Sequence, residues 1–425
     1  MDQREIRPAR AARGEVCVPG SKSLTNRHLN LTLLSRRPTL LERPLIAEDT
    51  CIFIHALRRL GKAVSGTERL LTLHGGQRVR SCSISCGASG TMLRFLTAAL
   101  TTLDGEFVLD GVERLRERPL GELIQALRSL GARIECLGRE GFAPLRITGG
   151  ELAGGRVEIP AGISSQFVSA LLMAATRATA RLEIKARDPV SAPYLDVTKK
   201  VLRDWGAEIE EGGGGTLMVD PVELTGGRFV VEGDFSSACY LAAGAALLGG
   251  RLSLPGLDTR SAQGDRLFLD LLAAMGAKVE WRNGVLCVEG QGQLVALDRD
   301  MSGMPDQVPT VAALAPFARG TTRIRNVPHL RLKESDRLAA VAKGLRAVGA
   351  QVEELEDGLT IPGIWAEVEP ACDEAVIDTF NDHRIAMSFA VLGLRRRHVS
   401  IASPRVVEKS YPSFWTDFSR CLETK

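Results

Sequence analysis

Long apolar runs are missing from this sequence. No stretch of about 18 uninterrupted apolar residues occurs, the length that a membrane-spanning helix needs. The opening segment, MDQREIRPARAARGE, is charged, and no apolar stretch of the kind found in secretory signals follows it. We therefore expect no membrane partner and a cytoplasmic location.

An excess of charge of either sign is also missing. The 425 residues include 54 Lys and Arg against 51 Asp and Glu, a net charge of +3. Proteins that bind nucleic acid normally concentrate basic residues on one face or stripe. We therefore expect no nucleic-acid partner, and any anion-binding site must be local.

Metal-binding motifs are missing as well. The nine cysteines are scattered, and the closest pair, Cys82 and Cys86, has no further Cys or His at the spacing of a zinc site. The six histidines form no HExxH string. The sequence predicts reduced thiols, no metal and no organic cofactor.

The chain does contain enough apolar material for two cores. Apolar residues make up 44% and charged residues 25%, which is typical of soluble globular proteins. A chain of 425 residues is too long for one compact core, so two domains are expected.

A repeat runs through the chain. Five strings each predict an amphipathic helix, a glycine suited to a left-handed cap and then a strand: ALRRLGKAV, ALRSLGARIE, VLRDWGAEIE, LLAAMGAKVE and GLRAVGAQVE. A second series of helices is predicted to open on small polar residues, at Ser21, Ser89, Ser164, Ser236, Asp306 and Asn381. Both series recur roughly every 70 to 75 residues, which indicates one supersecondary unit copied six times.

The sixth copy lacks a final strand in this prediction. The N-terminal segment EIRPARAARGEVCVPG, whose end GEVCV is strand-like, could complete it. The pattern predicts an α/β (α+β) protein with three units in each of two domains. One domain would be continuous, 20–233, and the other would combine 1–19 with 234–425. An open solenoid with polar caps is the alternative, but solenoid periods are usually shorter.

Cations and hydroxyls crowd the predicted helix starts, where unpaired N–H groups and the helix dipole favour phosphate or carboxylate. The string LKESDRL is predicted to put Lys333 and Arg337 on one face of a helix's first turn, beside Glu334. Each cation alone could equally be a solvated surface charge or an ion-pair partner. The string VPGSKS lacks the GxxxxGK spacing of a P-loop.

Nine strings occur in one order along nearly the whole chain: VPGSKSLTNR, GASGTMLR, ERP, SSQ, PYLDVT, MPDQV, LKESDRL, NDHRIAM and EKSYP. Together they resemble the 5-enolpyruvylshikimate-3-phosphate synthase family. The most specific part is KESDR followed by NDHR and then EKSYP, since SSQ or ERP alone would carry no weight.

The resemblance implies a two-domain inside-out barrel of six βαβαββ repeats, three per domain, with the active site in the cleft between the domains. It also implies transfer of the enolpyruvyl group of phosphoenolpyruvate to the 5-hydroxyl of shikimate 3-phosphate. The reaction would pass through a tetrahedral intermediate and release phosphate, in aromatic amino-acid biosynthesis, with no metal or organic cofactor. The expected partners are these small anionic substrates, and the expected state is a monomer.

The resemblance also implies a set of ligands. For shikimate 3-phosphate they are Lys22, Ser23, Arg27, Ser164, Ser165, Gln166, Ser191, Tyr194, Asp306 and Lys333. For phosphoenolpyruvate they are Lys22, Gly90, Arg118, Gln166, Arg337, Arg384 and Lys409. Arginine suits these roles because its planar fork meets a carboxylate or phosphate with two parallel hydrogen bonds.

Catalytic roles follow from the same resemblance. Asp306 would accept the proton of the attacking hydroxyl, and Glu334 would move a proton to and from the methylene carbon. Lys22 and Lys409 would stabilise charge on the departing phosphate, and His383 would orient substrate or acid. Judged without the family, Asp306 could be only a helix cap and Glu334 only an ion-pair partner of Arg337.

Three positions depart from the common pattern of the family. Ala88 stands where Asn is frequent, Ala192 where Lys or Arg is frequent, and His329 where many members have Asn, so no ligand role is assigned to His329. Gly90 is present, and bulk at this glycine is associated in the family with a poorer fit of glyphosate. A glyphosate-sensitive enzyme is therefore expected.

Two rival functions stay open. The sister enzyme that transfers enolpyruvyl to UDP-N-acetylglucosamine normally carries a Cys in a mobile loop, and the corresponding string DGVERLRERPLGE has none. A non-catalytic, anion-binding relative would bind the same ligands without turnover. The presence of Asp306, Glu334 and Lys22 favours the enzyme.

Overall fold

The protein divides into two compact units. The computed structural model describes residues 2–75, 79–160, 164–187, 193–368 and 373–424. Unit 1 comprises Met1–Pro19 and Glu232–Lys425, and unit 2 comprises Gly20–Val231. The chain therefore passes from one unit to the other twice.

The structure is a mixed α/β fold. Its α-helices in the described residues are α1 (Lys22–Leu34), α2 (Glu48–Arg59), α3 (Gly90–Ala99), α4 (Glu113–Arg116), α5 (Gly121–Ser129), α6 (Ser165–Ala175), α7 (Pro193–Asp204), α8 (Phe235–Leu248), α9 (Leu267–Ala274), α10 (Val308–Leu314), α11 (Arg337–Ala347), α12 (His383–Gly393) and α13 (Phe414–Arg420).

The strands of the same residues are β1 (Gln3–Ile6), β2 (Ala9–Ala12), β3 (Gly14–Glu15), β4 (Thr39–Glu42), β5 (Val64–Gly66), β6 (Leu70–Leu73), β7 (Cys82–Ser85), β8 (Gly105–Asp110), β9 (Arg133–Cys136), β10 (Leu145–Gly149), β11 (Gly155–Pro160), β12 (Leu182–Arg187), β13 (Ile209–Glu211), β14 (Thr216–Val219), β15 (Gly227–Val230), β16 (Gly250–Leu254), β17 (Lys278–Arg282), β18 (Val285–Gly290), β19 (Leu294–Val295), β20 (Asp298–Asp300), β21 (Ala318–Arg319), β22 (Thr321–Arg325), β23 (Glu353–Glu354), β24 (Leu359–Pro362), β25 (Ala375–Ile377), β26 (Val399–Ala402) and β27 (Leu422–Thr424).

Five four-stranded sheets share one connectivity, in which a parallel pair is followed by two antiparallel pairings. Unit 2 contains β15-β4-β6-β5, β7-β8-β10-β9 and β11-β12-β14-β13. Unit 1 contains β3-β16-β18-β17 and β20-β22-β24-β23. Several strands bury alternate residues, as half-buried strands do; β12, for example, buries Leu182, Ile184 and Ala186.

The N-terminal residues pair with the C-terminal ones in unit 1. Strand β1 runs antiparallel to β26, which lies parallel to β25, and β2 runs antiparallel to β27. The prediction that the N-terminal segment completes the sixth copy is thus confirmed for β1 and β2, but its strand-like end, GEVCV, does not take part, because Gly14 and Glu15 pair with β16. The final strand, which the sequence pattern lacked, is present as β27.

Six helices are buried on nearly all sides. They are α1, α3 and α6 in unit 2 and α8, α10 and α12 in unit 1. A helix without a polar face belongs in a core. The less buried residues of α1, α3 and α6 all lie in the first turn, which leaves those helix starts accessible. No helix in the described residues combines the length and apolar character needed to cross a bilayer.

The predicted helix starts are confirmed to within two residues. Ser21, Ser89 and Ser164 are the N-caps of α1, α3 and α6. The five predicted cap glycines, Gly61, Gly131, Gly206, Gly276 and Gly349, all have positive φ. The prediction for Lys333 was wrong, because Asp336 caps a helix that begins at Arg337, and Lys333 lies in extended backbone before it.

Candidate active site

Unit 1 gathers cations around the carboxylate of Asp306. This residue lies in the short 3-10 turn Pro305–Gln307, just before α10. Arg337 Nη1 donates to Asp306 Oδ1 at 2.8 Å, and Arg384 Nη2 donates to Oδ2 at 2.6 Å. Arg337 begins α11 and Arg384 is the second residue of α12, so two helix starts meet at one acid.

Glu334 adds a second carboxylate to this cluster. Its Oε2 accepts a hydrogen bond from Arg337 Nη2 at 2.8 Å, and its Oε1 lies 3.8 Å from Lys409 Nζ. Lys409 ends the 3-10 helix Pro404–Lys409 and is buried. Glu334 therefore lies between two cations that could bind the same small anion.

Asp382 is a buried acid that binds Arg337 and fixes the start of α12. Sequence reasoning did not select it. Its Oδ2 accepts hydrogen bonds from Arg337 Nε at 2.7 Å and Ser335 Oγ at 3.1 Å. Its Oδ1 caps α12 by accepting the backbone N–H of Arg384 at 2.9 Å. The NDHR string contains this acid, but its buried partner lies 45 residues earlier in the chain.

The electrostatics of Asp306 are dominated by its neighbours. Burial alone would raise the pKa of Asp306, but Arg384, Arg337 and Lys333 outweigh burial and hold that pKa well below its usual range. Burial would likewise lower the pKa of Arg337, yet Asp382, Glu334 and Asp306 raise it. Without substrate, Asp306 is therefore ionised among these cations.

Two histidines border this network. His383 begins α12, is 1% exposed, and its Nδ1 lies 3.8 Å from Asp382 Oδ1. His329 is also buried, and within the described residues neither of its ring nitrogens has a hydrogen-bond partner. Burial and Lys333 lower the pKa of His329 to about 4, so it is neutral at physiological pH. Sequence reasoning assigned His329 no role, although it lies beside the acid cluster.

Unit 2 presents its own cations at helix starts. Lys22 begins α1, and its Nζ donates to Asp49 Oδ2 at 3.3 Å. Arg27, one turn further, is 1% exposed and donates to Thr198 Oγ1 and to the carbonyl groups of Ser23 and Tyr194. Burial lowers the pKa of Arg27 to about 10, which still leaves it charged.

Gly90 and Arg118 form a close pair. A Cβ built on Gly90 would lie 2.6 to 2.9 Å from the guanidinium of Arg118. Arg118 follows α4 and is 5% exposed. Because any side chain at position 90 would collide with this guanidinium, Gly90 allows Arg118 to lie across the start of α3. Arg116, by contrast, forms an exposed ion pair with Asp110 at 2.6 Å.

The start of α6 lies against the start of α3. Gln166 Nε2 donates to Thr91 Oγ1 at 3.1 Å, and Gln166 Oε1 accepts from Arg94 Nη1 at 2.8 Å. Ser164 Oγ caps α6 by accepting the N–H of Gln166 at 3.3 Å, and Ser165 is buried beside it. The predicted ligand Ser191 and the departure at Ala192 lie outside the described residues.

Comparison with known proteins identifies the family. The family model of EPSP synthase (3-phosphoshikimate 1-carboxyvinyltransferase) matches residues 6–418. The chain belongs to the EPSP synthase family. The EPSP synthases named 3-phosphoshikimate 1-carboxyvinyltransferase include one from Syntrophobacter fumaroxidans, 42% identical over 98% of this chain and 99% of that protein. Another, from Aliivibrio salmonicida, is 40% identical over 98% of each chain.

The structure agrees with this membership. An EPSP synthase from Acinetobacter baumannii, solved at 2.37 Å, superposes with a TM-score of 0.83 at 28% identity, covering 100% of this chain and 99% of that one. The predicted mixed α/β fold of an EPSP synthase is therefore confirmed.

The described site residues that the EPSP synthase resemblance implied fall into two sets. The unit 2 set is Lys22, Ser23, Arg27, Gly90, Arg118, Ser164, Ser165, Gln166 and Tyr194. The unit 1 set is Asp306, Lys333, Glu334, Arg337, His383, Arg384 and Lys409. Contacts within unit 1 bring Asp306, Glu334, Arg337, Arg384 and Lys409 into one cluster.

Proposed function

We propose that this chain transfers the 1-carboxyvinyl group of phosphoenolpyruvate to the 5-hydroxyl of shikimate 3-phosphate and releases phosphate. It would thereby act as a transferase of the shikimate pathway in aromatic amino-acid biosynthesis. Membership of the EPSP synthase family supports this function. The observation that carries it in the structure is the cluster in which Asp306 and Glu334 lie among Arg337, Arg384 and Lys409.

Phosphoenolpyruvate is proposed to compete with the protein's own carboxylates for the arginines. Arg337 and Arg384 each hold one oxygen of Asp306, and a substrate carboxylate or phosphate offers oxygens of the same kind. The remaining phosphoenolpyruvate ligands are proposed to be Lys409 from the same unit and, from unit 2, Lys22, Gly90, Arg118 and Gln166. The close packing of Arg118 on Gly90 supports a pre-arranged grip.

Substrate charge would also activate the base. The cations around Asp306 hold its pKa low, and a weak base removes a hydroxyl proton poorly. Anionic oxygens of the substrate would offset Arg337 and Arg384, so the pKa of Asp306 would rise when substrate binds. The proton acceptor would then become stronger only in the occupied site.

The proposed reaction has two steps. First, the 5-hydroxyl oxygen bonds to C2 of phosphoenolpyruvate, its proton passes to Asp306, and Glu334, protonated when the substrates bind, gives its proton to the methylene carbon. Then the C2–O bond to phosphate breaks, the departing oxygen takes the proton held by Asp306, a proton returns from the methyl group to Glu334, and the double bond re-forms. Lys22 and Lys409 stabilise the charge on the departing phosphate, and His383 orients the acid side of the site.

Shikimate 3-phosphate is proposed to use mainly unit 2. Its ligands would be Lys22, Ser23, Arg27, Ser164, Ser165, Gln166, Ser191 and Tyr194, with Asp306 and Lys333 from unit 1. Three donors of Arg27 already bind protein oxygens, which leaves two of its five N–H groups for the phosphate. The accessible starts of α1 and α6 supply further N–H groups.

The wider assignments are also proposals. The shared connectivity of the sheets supports an inside-out barrel of six βαβαββ repeats, three in each unit. The enzyme is proposed to act as a cytoplasmic monomer on small anions. Light scattering during gel filtration tests the oligomeric state, and a mass of twice the chain's 45.8 kDa would contradict it.

The test of the function is a phosphate-release assay with shikimate 3-phosphate and phosphoenolpyruvate. Asp306→Ala should lower kcat by about 10² to 10⁴, the usual contribution of a general base, and should change substrate affinity far less. Asp298→Ala is the matched control, because it also breaks an Asp–Arg pair in unit 1, at 2.7 Å but on the surface.

The outcomes separate the alternatives. Wild-type protein that binds both substrates tightly but releases no phosphate would be a non-catalytic relative. Turnover of Asp306→Ala close to that of Asp298→Ala would reject Asp306 as the base and leave the transferase activity standing.

A further inference from the structure

Asp265 is a buried acid close to Asp306 that has no part in the proposed reaction. Asp265 lies in the 3-10 turn Gly264–Arg266, just before α9, and is 2% exposed. In the described residues no Lys, Arg or His nitrogen lies within ion-pair distance of its carboxylate. An unpaired buried carboxylate is costly, so its presence requires an explanation.

The contacts of Asp265 lead to the turn that carries Asp306. Gln307 Nε2 donates to Asp265 Oδ2 at 2.9 Å, and Ser236 Oγ, from the first turn of α8, makes a short hydrogen bond to the same oxygen. Gln307 is 0% exposed and directly follows Asp306 in the chain. Asp265 thus anchors the residue adjacent to the proposed base.

The hydrogen-bonded chain continues beyond Gln307. Gln307 Oε1 accepts from Thr310 Oγ1 at 3.2 Å, and the hydroxyls of Thr310 and Ser388 lie 3.1 Å apart. The chain therefore connects α8, the Asp306 turn, α10 and α12. In the described residues Ser388, the last member, makes no hydrogen bond to Asp306, whereas Gln307 directly follows Asp306 in the sequence.

The hydrogen bonds alone do not require a carboxylate. An asparagine at position 265 could accept both of them without the cost of burying a charge. The second oxygen of Asp265, Oδ1, is buried and has no hydrogen-bond partner in the described residues. What the carboxylate adds is a negative charge close to Asp306.

The charge of Asp265 opposes that of the surrounding cations. Burial and the charge of Asp306 raise the pKa of Asp265, and Arg384 lowers it. The interaction is mutual, so an ionised Asp265 makes Asp306 a stronger base. The cations that face Asp306 are Arg337, Arg384 and Lys333, the acids are Glu334 and Asp265, and the neutral groups are His329 and Tyr240.

We propose that Asp265 is a positioning residue for proton transfer. Through Gln307 it fixes the turn that carries Asp306, and through its charge it offsets the arginines that hold Asp306. This role rests on the proposed function of Asp306 as the base.

Two substitutions separate the two parts of the role. Asp265→Asn keeps the hydrogen-bond acceptor and removes the charge, whereas Gln307→Met keeps the charge and breaks the link. Each should lower kcat about tenfold, less than loss of the base itself, with the KM of both substrates within about threefold of wild type. Ser388→Ala, which cuts the far end of the chain, is the matched control and should retain wild-type kcat.

The pH profile tests the charge directly. Because the pKa of Asp265 is raised and that of Asp306 is lowered, Asp265 takes up a proton first as the pH falls, and its charge is lost while Asp306 is still ionised. The kcat of the wild type should therefore fall about tenfold through an acidic limb that is absent in Asp265→Asn and present in Ser388→Ala. The same limb in Asp265→Asn would overturn the electrostatic part of the proposal.

Further outcomes distinguish the proposals. Wild-type kcat in both Asp265→Asn and Gln307→Met overturns the role of Asp265. If kcat falls in all three variants in proportion to their loss of thermal stability, the hydrogen-bonded chain stabilises the fold only, and the positioning role of Asp265 is rejected. If Asp265→Asn does not fold, Gln307→Met still provides a test: a normal kcat in that variant shows that the hydrogen bond between Gln307 and Asp265 does not position Asp306. Asp306→Asn is assayed alongside, because retained turnover there would reject the base and not Asp265 alone.

Discussion

At Gly90 the absence of a side chain determines the position of a guanidinium. A methyl group on this glycine would lie 2.6 Å from Arg118 Nη1, closer than real contacts. Arg118 is buried, so it can avoid such a methyl group only by leaving its place at the start of α3. The proposed grip on phosphoenolpyruvate therefore depends on a residue that makes no polar side-chain contact.

Gly90→Ala is expected to raise the KM for phosphoenolpyruvate about tenfold or more, because a displaced arginine loses a charged hydrogen bond worth about 1.5 to 3 kcal/mol. The KM for shikimate 3-phosphate should change little, and the inhibition constant of glyphosate should rise. Gly150→Ala is the control, since its Cβ would meet nothing within 4 Å. Steady-state kinetics with an unchanged KM for phosphoenolpyruvate would contradict this account.

Most residues of the unit 1 cluster could be chosen from the sequence, but the acids that hold them in place could not. Asp306, Glu334, Arg337, Arg384 and Lys409 were all chosen from the sequence, and the structure brings them together. The supporting acids Asp49, Asp265 and Asp382 were not chosen. Each binds a side chain 27 to 45 residues away in the sequence. No local pattern therefore distinguishes these acids from acids on the surface.

At the scale of elements, Asp382 connects the starts of two helices. It caps α12 and binds Arg337, the first residue of α11. A single carboxylate thus satisfies a backbone donor and a buried guanidinium. Both arginines that bind Asp306, Arg337 and Arg384, therefore contact Asp382.

Asp382→Ala should lower the free energy of unfolding by about 3 kcal/mol, since it removes a cap and one partner of a buried charge. Asp336→Ala is the comparison: Asp336 caps α11 by accepting the N–H of Ala339 at 3.1 Å, but it is partly exposed, so about 1 kcal/mol is expected. Denaturant unfolding measures both. Equal losses would mean that the pair with Arg337 contributes nothing.

Helix starts could be predicted because the N-cap signal is local. Ser21, Ser89 and Ser164 each precede an apolar run and each is an N-cap. The start of α11 was misplaced because Lys333 and Arg337 have the spacing of one helix face, whereas the helix is capped by Asp336 and Lys333 precedes it in extended backbone. Strand partners could not be predicted, since GEVCV has strand-like residues whichever sheet it joins.

At the scale of the whole molecule, the two units differ in how the chain builds them. All three four-stranded sheets of unit 2 are formed by residues between Thr39 and Val230. Unit 1 joins β1 to β26, β2 to β27 and β3 to β16. The fold class could be predicted from the repeat, but these pairings depend on contacts across several hundred residues.

A fragment of residues 20–231 is therefore expected to fold alone, because its sheets and the buried helices α1, α3 and α6 are complete. A fragment of residues 232–425 should not reach a cooperative fold, since it lacks β1, β2 and β3. Adding a peptide of residues 1–19 should restore folding. Circular dichroism melts of the fragments test this, and a cooperative melt of 232–425 without the peptide would contradict it.

The pairing of β2 with β27 also sets an order of events during synthesis. Residues 20–231 are complete, and are expected to fold, before residues 375–424 have been made. Residues 2–12, although made earlier, have no strand to pair with until those later residues follow. Strands β1 and β2 are thus among the last to find their place, and the part of α8 that contacts β2 stays uncovered until then.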